Sequence, residues 1–302
     1  MTSSQPLTEK TAENTKLTTS ELARINTEKT GINYTDTNAP ASDSIAAEAS
    51  SFLRKNLPQG ILKQSGVLKF DPKLNRLLAA LPSSELDFLS SYLKLIYLPL
   101  GESLYVPGIP LTHAYFPINC VVSMHYVTET SASTETASAG NEGMVGIALV
   151  MGGDSTPSSS TVVIAGYAYK IEGHLLKRAL TQNDALQRLL WRYIQVLITQ
   201  ISQTAVCNRH HTIEQQLSRW LLLNVSRLST NELTITQELV ASILGVRRES
   251  ITQAASNLQR AGLISYRRGH ISLLDRHGLE KWACECHKVM QTELKRLLHD
   301  AD

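Results

Sequence analysis

Apolar positions in the last third of the chain recur at helical spacing and then break into short runs. Val240, Ala241 and Leu244 share one face of a stretch that opens on Thr236, a residue able to accept from the first free backbone N–H groups. The pattern predicts a short helix over 236–244, with Gly245 as the residue best able to take positive φ in a tight turn. A second helix is predicted over 248–261, stopping at Gly262. On it Ile251, Ala254, Ala255 and Leu258 make the inward face, while Glu249, Gln253, Ser256 and Arg260 fall opposite. Residues 263–267 and 270–274 read as two strands joined at Arg268-Gly269, a two-residue hairpin turn. Small Ala241, Gly245 and apolar Ile251 stand where two helices crossing at a steep angle need them, so the pattern predicts a helix-turn-helix followed by a wing.

Earlier in the chain the texture differs. Over 94–171 short apolar runs alternate with Gly and Pro, as in LIYLPLGESLYVPG, AYFPINCVVSMHYV and TVVIAGYAYKI, which predicts an antiparallel β-barrel or jelly roll. The small, polar residues 131–140 predict a mobile or tightly turned section inside it. Two helices are expected ahead of the strands, over 75–81 and from Pro82 to about residue 92. Residues 175–205 carry the longest helical pattern, in which Leu186, Leu190, Tyr193, Leu197 and Ile201 recur every three or four positions. That stripe predicts a dimer seam, on a helix packed also against its own barrel. Thr212 with Gln215 is a capping-box pattern for the next helix. The amphipathic residues 279–298 are expected to pack on the helix-turn-helix module or trail from it. Residues 1–66 lack a sustained apolar stripe and are expected to form a disordered tail, with one or two helical turns at 51–57. The expected organisation is α+β: a tail over 1–66, a β jelly roll with flanking helices over 67–174, a dimerisation helix over 175–208 and a winged helix over 209–302.

Charge sharpens the picture only locally. The formal net charge is +2, so no global field marks a nucleic-acid binder. Between residues 236 and 276, however, six arginines face three acids. Four cysteines are too scattered for a secreted disulfide framework, no apolar run is long enough for a membrane span, and the first residues do not read as a signal or transit peptide. The expected compartment is the cytoplasm, with no membrane partner. Cys284-Glu285-Cys286-His287 invites a metal, but two thiols two positions apart on a helix would point about 200° away from each other. His210 and His211 read as hinge or solvent residues. The expectation is therefore no metal and no cofactor. No catalytic motif for a nucleophile, phosphate loop or zinc protease is present, and no enzyme activity is expected.

The order of parts resembles the Crp/Fnr family of bacterial transcription regulators. The likeness runs over about residues 75–275 and is strongest in ITQELVASILGVRRESITQAASNLQRAGLISYRRGHISLLD. YLPLGESLYVPG, YFPINCVVS and NEGMVG carry it more loosely in the sensor half, which would be cyclic-nucleotide-binding-like. The resemblance implies a homodimer on an inverted-repeat DNA operator, contacting RNA polymerase where it activates. Arg248, Glu249 and Gln253 match the positions from which members reach base edges; arginine suits guanine, glutamate cytosine, and glutamine adenine in place of the more common arginine. Thr236, Gln237, Arg247, Ser250, Arg268 and His270 are the phosphate-side candidates; Arg247 stands where a small capping hydroxyl is more usual. Cyclic-nucleotide binders carry a glutamate for the ribose and an arginine for the phosphate. Here Gly146 falls at the glutamate's place and no arginine occurs between Met144 and Thr161, so cAMP is not expected to bind by that chemistry. Glu142, Met144 and Gly146 remain candidates to line a pocket for another, unknown effector, and the cysteine arrangement of iron–sulfur oxygen sensors is absent. Two rival readings are a ligand- or redox-sensing module acting through protein–protein contacts, and an enzyme with a cupin-like metal pocket.

Overall fold

The computed structural model describes residues 62–64, 67–69, 71–129 and 132–298. The expected tail and its helical turns at 51–57 lie outside the described residues, apart from a strand that falls within the 1–66 stretch. This strand, β1 (Leu62–Gln64), pairs antiparallel with β2 (Val67–Lys69).

Two short helices, α1 (Arg76–Ala79) and α2 (Ser83–Ser90), precede the β domain. Asn75 joins them to it. Its buried side chain accepts from Leu78 N at 3.0 Å and donates to the carbonyls of Pro117 and Gly143 at 2.8 and 2.9 Å, so one amide both caps a helix and ties it to a strand end and to the glycine-rich segment at 140–146.

The β domain is built from β3 (Lys94–Leu98), β4 (Ser103–Tyr105), β5 (His113–Pro117), β6 (Val121–Val127), β7 (Ser133–Ala139), β8 (Ser159–Ile164) and β9 (Gly166–Glu172), with a single-turn helix α3 (Ala148–Met151) between β7 and β8. They form two antiparallel sheets, in the orders β3-β9-β5 and β4-β8-β6-β7. Phe116, Val122, Met144, Val162 and Ile171 are among the residues that fill this core. Residues 133–139, expected as a turned section, are instead a strand paired with β6 along its length. Their small side chains are the reason for the misreading. Ala137, Ser138 and Ala139 are buried, because two helical elements come down onto this strand and leave no room for larger groups.

After α4 (Gly173–Gln182) comes the long helix α5 (Asp184–His210). No side chain at its own N-cap bonds its first turn; Glu85 from α2 accepts from Leu186 N at 2.9 Å and places a carboxylate at the positive end of the helix. Leu186, Leu190, Tyr193 and Leu197, expected at a dimer seam, belong to the chain's own core against the β domain. Tyr193 lies on Gly143, where any Cβ would overlap its ring, and its hydroxyl donates to Met144 O at 3.0 Å. Of the expected seam only Ile201 is exposed. The helix carries a second apolar stripe a third of a turn away: Trp191, Ile198 and Ile201 are 57%, 57% and 46% exposed, with half-buried Ile194 between them. The spacing 191, 194, 198, 201 is the three-four repeat of a coiled-coil seam. No helix among the described residues is long and apolar enough to cross a membrane.

The C-terminal part comprises α6 (Ile213–Leu228), β10 (Glu232–Thr234), α7 (Gln237–Leu244), α8 (Arg248–Arg260), β11 (Ile264–Arg267), β12 (His270–Leu273), α9 (Arg276–Trp282) and α10 (Glu285–Leu298). Thr212 and Gln215 form the expected capping box. The wing is three-stranded, in the order β10-β12-β11. Trp220, Leu221, Val240, Ile251, Leu258 and Ile271 are part of its core, which Val121, Val163 and Ile164 of the β domain extend. The last helix runs along α5 and adds Met290, Leu297 and Leu298 to the core cluster that α5 shares with the β domain, rather than resting on the helix-turn-helix alone.

Arg227 of α6 crosses between the two cores. Its Nε and Nη2 donate to Glu142 Oε1 at 2.9 and 2.6 Å, Nη1 to Ser138 Oγ at 2.9 Å and Nη2 to Ser138 O at 2.7 Å. The two side chains are only 3% and 7% exposed. Removing one partner of such a buried pair strands the other charge and costs about 3–5 kcal/mol, whereas replacing both by apolar groups is often near neutral. Arg227→Leu should therefore lose stability by that order in urea unfolding, and Arg227→Leu combined with Glu142→Leu should recover most of it.

Candidate DNA-contacting surface

The helix-turn-helix is set by its caps. Thr236 Oγ1 accepts from Leu239 N at 3.2 Å, and Gly245 ends α7 with φ 65°. A Cβ at Gly245 would also lie 2.5 Å from Thr134 Oγ1, so the turn of the motif rests directly on β7. Ile251, Ala254, Ala255 and Leu258 of α8 are buried, while Glu249, Gln253, Ser256 and Arg260 are exposed, as the periodicity predicts. Gly262 follows the helix at φ 74°.

The three expected base-edge residues share this exposed face. Arg248 lies 3.9 Å from Glu238 Oε2, an exposed pair that steers the guanidinium without holding it. Gln253 Nε2 donates to Asn257 Oδ1 at 3.0 Å, which also accepts from Arg260 Nη2; Asn257 Nδ2 in turn donates to Glu214 Oε1 at 2.8 Å. Asn257 is not among the residues that the sequence singles out, although its position one turn beyond Gln253 is the signal that could have found it.

The phosphate-side candidates surround this helix. Arg247 is exposed at the N-cap of α8 and its side chain makes no cap bond there, so it is free to reach outward. Ser250 sits half-buried in the first turn. Thr236 is exposed, while Gln237 is half-buried and its Oε1 accepts from Thr252 Oγ1 at 2.8 Å. Arg268 and Gly269 have φ of 47° and 81°, the two positive values that a type I′ hairpin turn requires. They hold Arg267 and Arg268 exposed at the wing tip. His270 is exposed and shares a hydrogen bond with Thr234 Oγ1 at 3.2 Å. The wing is fixed to α8 where Gln259 Oε1 accepts from Tyr266 N at 2.8 Å, and to the strand before α7 where Tyr266 Oη donates to Ile235 O at 2.9 Å.

The sensor-side candidates are placed otherwise. Glu142 is engaged by Arg227, Met144 is fully buried in the core, and Gly146 takes φ 99° against the backbone of His113 and Ala114. Each is thus held by contacts of the fold itself.

The cysteines lie closer together than their spacing predicts. Cys284 is not on a helix: α9 ends at Trp282 and α10 begins at Glu285, so Cys284 lies at the junction and its thiol turns to the same side as that of Cys286. The 200° separation expected for two helical positions does not apply. Cys207 and His211, at the end of α5, meet them from the other side. The hydrogen bond between Cys207 and Cys284 holds the Cys284 thiol below its ordinary range and pushes that of Cys207 up. Cys120 lies apart, pushed up to about 12 by burial inside the β domain.

A two-sheet β-roll, a long helix and a winged helix-turn-helix follow one another in this order. Residues 215–282 match the model of the Crp-like helix-turn-helix domain. Solved structures with the same fold include FixK2 from Bradyrhizobium japonicum, with a TM-score of 0.54 and 15% identity over 64% of this chain and 98% of that one. A CRP-family transcriptional regulator from Thermus thermophilus aligns with a TM-score of 0.52 and 17% identity over 63% of this chain and 96% of that one. Comparison with curated protein sequences finds no match. Residues 215–282 are thus a Crp-like helix-turn-helix domain, and a little under two thirds of the chain shares the fold of these two structures.

Gly245→Ala should test the docking of the motif's turn. Positive φ and the overlap with Thr134 both oppose a Cβ, so thermal unfolding should show a loss of about 1 kcal/mol or more. The double variant Gly245→Ala with Thr134→Ala should recover the part due to overlap.

Proposed function

We propose that this protein is a sequence-specific, DNA-binding transcription regulator that acts in the cytoplasm as a homodimer on an inverted-repeat operator. The observation that carries this is the exposed face of α8, where Arg248, Glu249 and Gln253 stand clear of the core and are flanked by Arg247 and the wing-tip arginines. Arg248 would read guanine O6 and N7, Glu249 would accept from cytosine N4, and Gln253 would favour adenine. Thr236, Gln237, Arg247, Ser250, Arg268 and His270 would hold the backbone phosphates.

Two recognition helices must face successive major grooves about 34 Å apart, which requires a two-fold partner. We assign the dimer seam to the outer stripe of α5, Trp191, Ile194, Ile198 and Ile201, since the inner stripe fills the chain's own core. cAMP is not the trigger by the usual arginine and glutamate chemistry, because neither residue is present where that chemistry needs it. Any signal sensed by the β domain reaches the DNA-binding half through α5 and the Arg227 contact. Where the regulator activates, RNA polymerase is its further partner.

Selection of bound duplexes from a random pool should enrich an inverted repeat; no enrichment would overturn the reading. On the selected site Arg248→Ala should cost about 1–3 kcal/mol and relax one base position per half-site. Arg268→Ala should weaken selected and random duplexes alike and flatten the salt dependence by about one counterion per protomer. Ile198→Asp should shift the protein to monomer in sedimentation and abolish cooperative occupation of the two half-sites, with the single-chain fold retained.

A further inference from the structure

Three thiols and one imidazole converge where α5 ends and α10 begins. The Sγ atoms of Cys207, Cys284 and Cys286 and a ring nitrogen of His211 all lie within 4.8 Å of one another, and the three cysteines are buried in a small cluster of their own. Cys207 Sγ is 3.6 Å from Cys284 Sγ, and Cys286 Sγ is 3.7 Å from His211 Nδ1. Four ligands at tetrahedral angles around zinc, with Zn–S of about 2.3 Å and Zn–N of about 2.0–2.1 Å, stand roughly 3.5–3.8 Å apart. We propose that Cys207, His211, Cys284 and Cys286 form a tetrahedral site for a zinc-class divalent ion.

The surroundings are those of a metal-bound histidine. His211 Nε2 lies 3.2 Å from Glu285 Oε1, so a neutral ring that donates there keeps its Nδ1 lone pair turned toward the thiols. The backbone at His211 is fixed as well: its N–H closes the last turn on Cys207 O at 3.1 Å, and Gln216 Nε2 donates to His211 O at 3.0 Å. Cys207 and His211 are therefore one helical turn apart, and Cys284 and Cys286 straddle the start of α10. Each pair comes from a short, rigid segment.

Charge supplies a second observation. Arg219 of α6 is buried close enough for its charge to act on both Cys207 and Cys286, and its Nε has no hydrogen-bond partner. Three thiolates, a neutral imidazole and a divalent ion sum to one negative charge, which such a guanidinium offsets. Sulfur-rich tetrahedral coordination selects zinc over calcium or magnesium. An iron–sulfur cluster would hold its terminal ligands farther apart than these four atoms stand.

The site sits at the joint between α5 and the DNA-binding domain, and bound metal would pin the C-terminal helix to that joint. Full-length protein produced under reducing conditions, without added metal, should carry about one zinc per chain by elemental analysis. Cys284→Ser and Cys286→Ser should each lose most of it, whereas Cys120→Ser should keep it. Should those variants fail to fold, unaltered protein from cobalt-supplemented cells decides: tetrahedral d–d bands and thiolate-to-cobalt charge transfer are expected. Metal-free protein with no cobalt spectrum would overturn the assignment, as would a Cys207–Cys284 disulfide in freshly isolated protein by mass spectrometry. Zinc that survives both serine substitutions would overturn it too.

Discussion

The ion pair between Arg227 and Glu142 is the constraint on which the relation of the two halves depends. A guanidinium 3% exposed and a carboxylate 7% exposed have each left water, and neither half could bury its charge alone. Glu142 belongs to the glycine-rich segment after β7, and Arg227 to the last turn of α6. The pair therefore stays intact only while the DNA-binding domain is seated on the β-roll. Its four hydrogen bonds, two of them to Ser138, give that seat a single geometry where the apolar contact of Val121, Val163 and Ile164 would tolerate sliding. A buried pair is a poor source of stability but a good source of register.

Around that seat the long helix has to serve two masters. Its inner stripe is fixed by Tyr193 on Gly143 and by the carboxylate of Glu85 at its first turn, so the β domain determines how α5 is rotated about its own axis. Rotation decides where Trp191, Ile198 and Ile201 point, and with them any partner helix. In the proposed dimer, the β domain would need no moving strand to influence the seam. A small shift of the segment 142–144 acts on Arg227 and on Tyr193 at once, because Glu142 holds the one and Gly143 and Met144 hold the other.

Local chemistry makes the helix-turn-helix legible in the sequence. Thr236, Gly245, Gly262 and the Arg268-Gly269 turn each act within a few residues of themselves, and the 3.6-residue period assigns faces without knowledge of a partner. Misreadings arise where tertiary contact overrides the local signal. Residues 133–139 look like a loop because their neighbours demand small side chains, and Glu142 looks like a ligand residue because its arginine lies 85 positions away. The stripe that periodicity favours for a dimer seam is the more apolar of two, and a single chain gives no rule for deciding which stripe meets its own barrel. The thiols mislead through one assumption, that Cys284 and Cys286 share a helix. Ala283 breaks it with extended backbone, φ −69° and ψ 152°, and reverses the geometric conclusion.

That break also bears on how the DNA-binding domain is held. Arg227 anchors the end of α6 to the β-roll, while the segment just before α6 begins carries His211, beside Cys207 and the start of α10. α6 is thereby fastened at both ends, by a buried charge pair at one and by a cluster of sulfur and nitrogen donors at the other. A helix held at one end can pivot; held at both it moves only with its anchors. α8 packs on α6 and is tied to it through Asn257 and Glu214, so it inherits that restraint. Release of either anchor would leave α6, and α8 with it, free to pivot about the other.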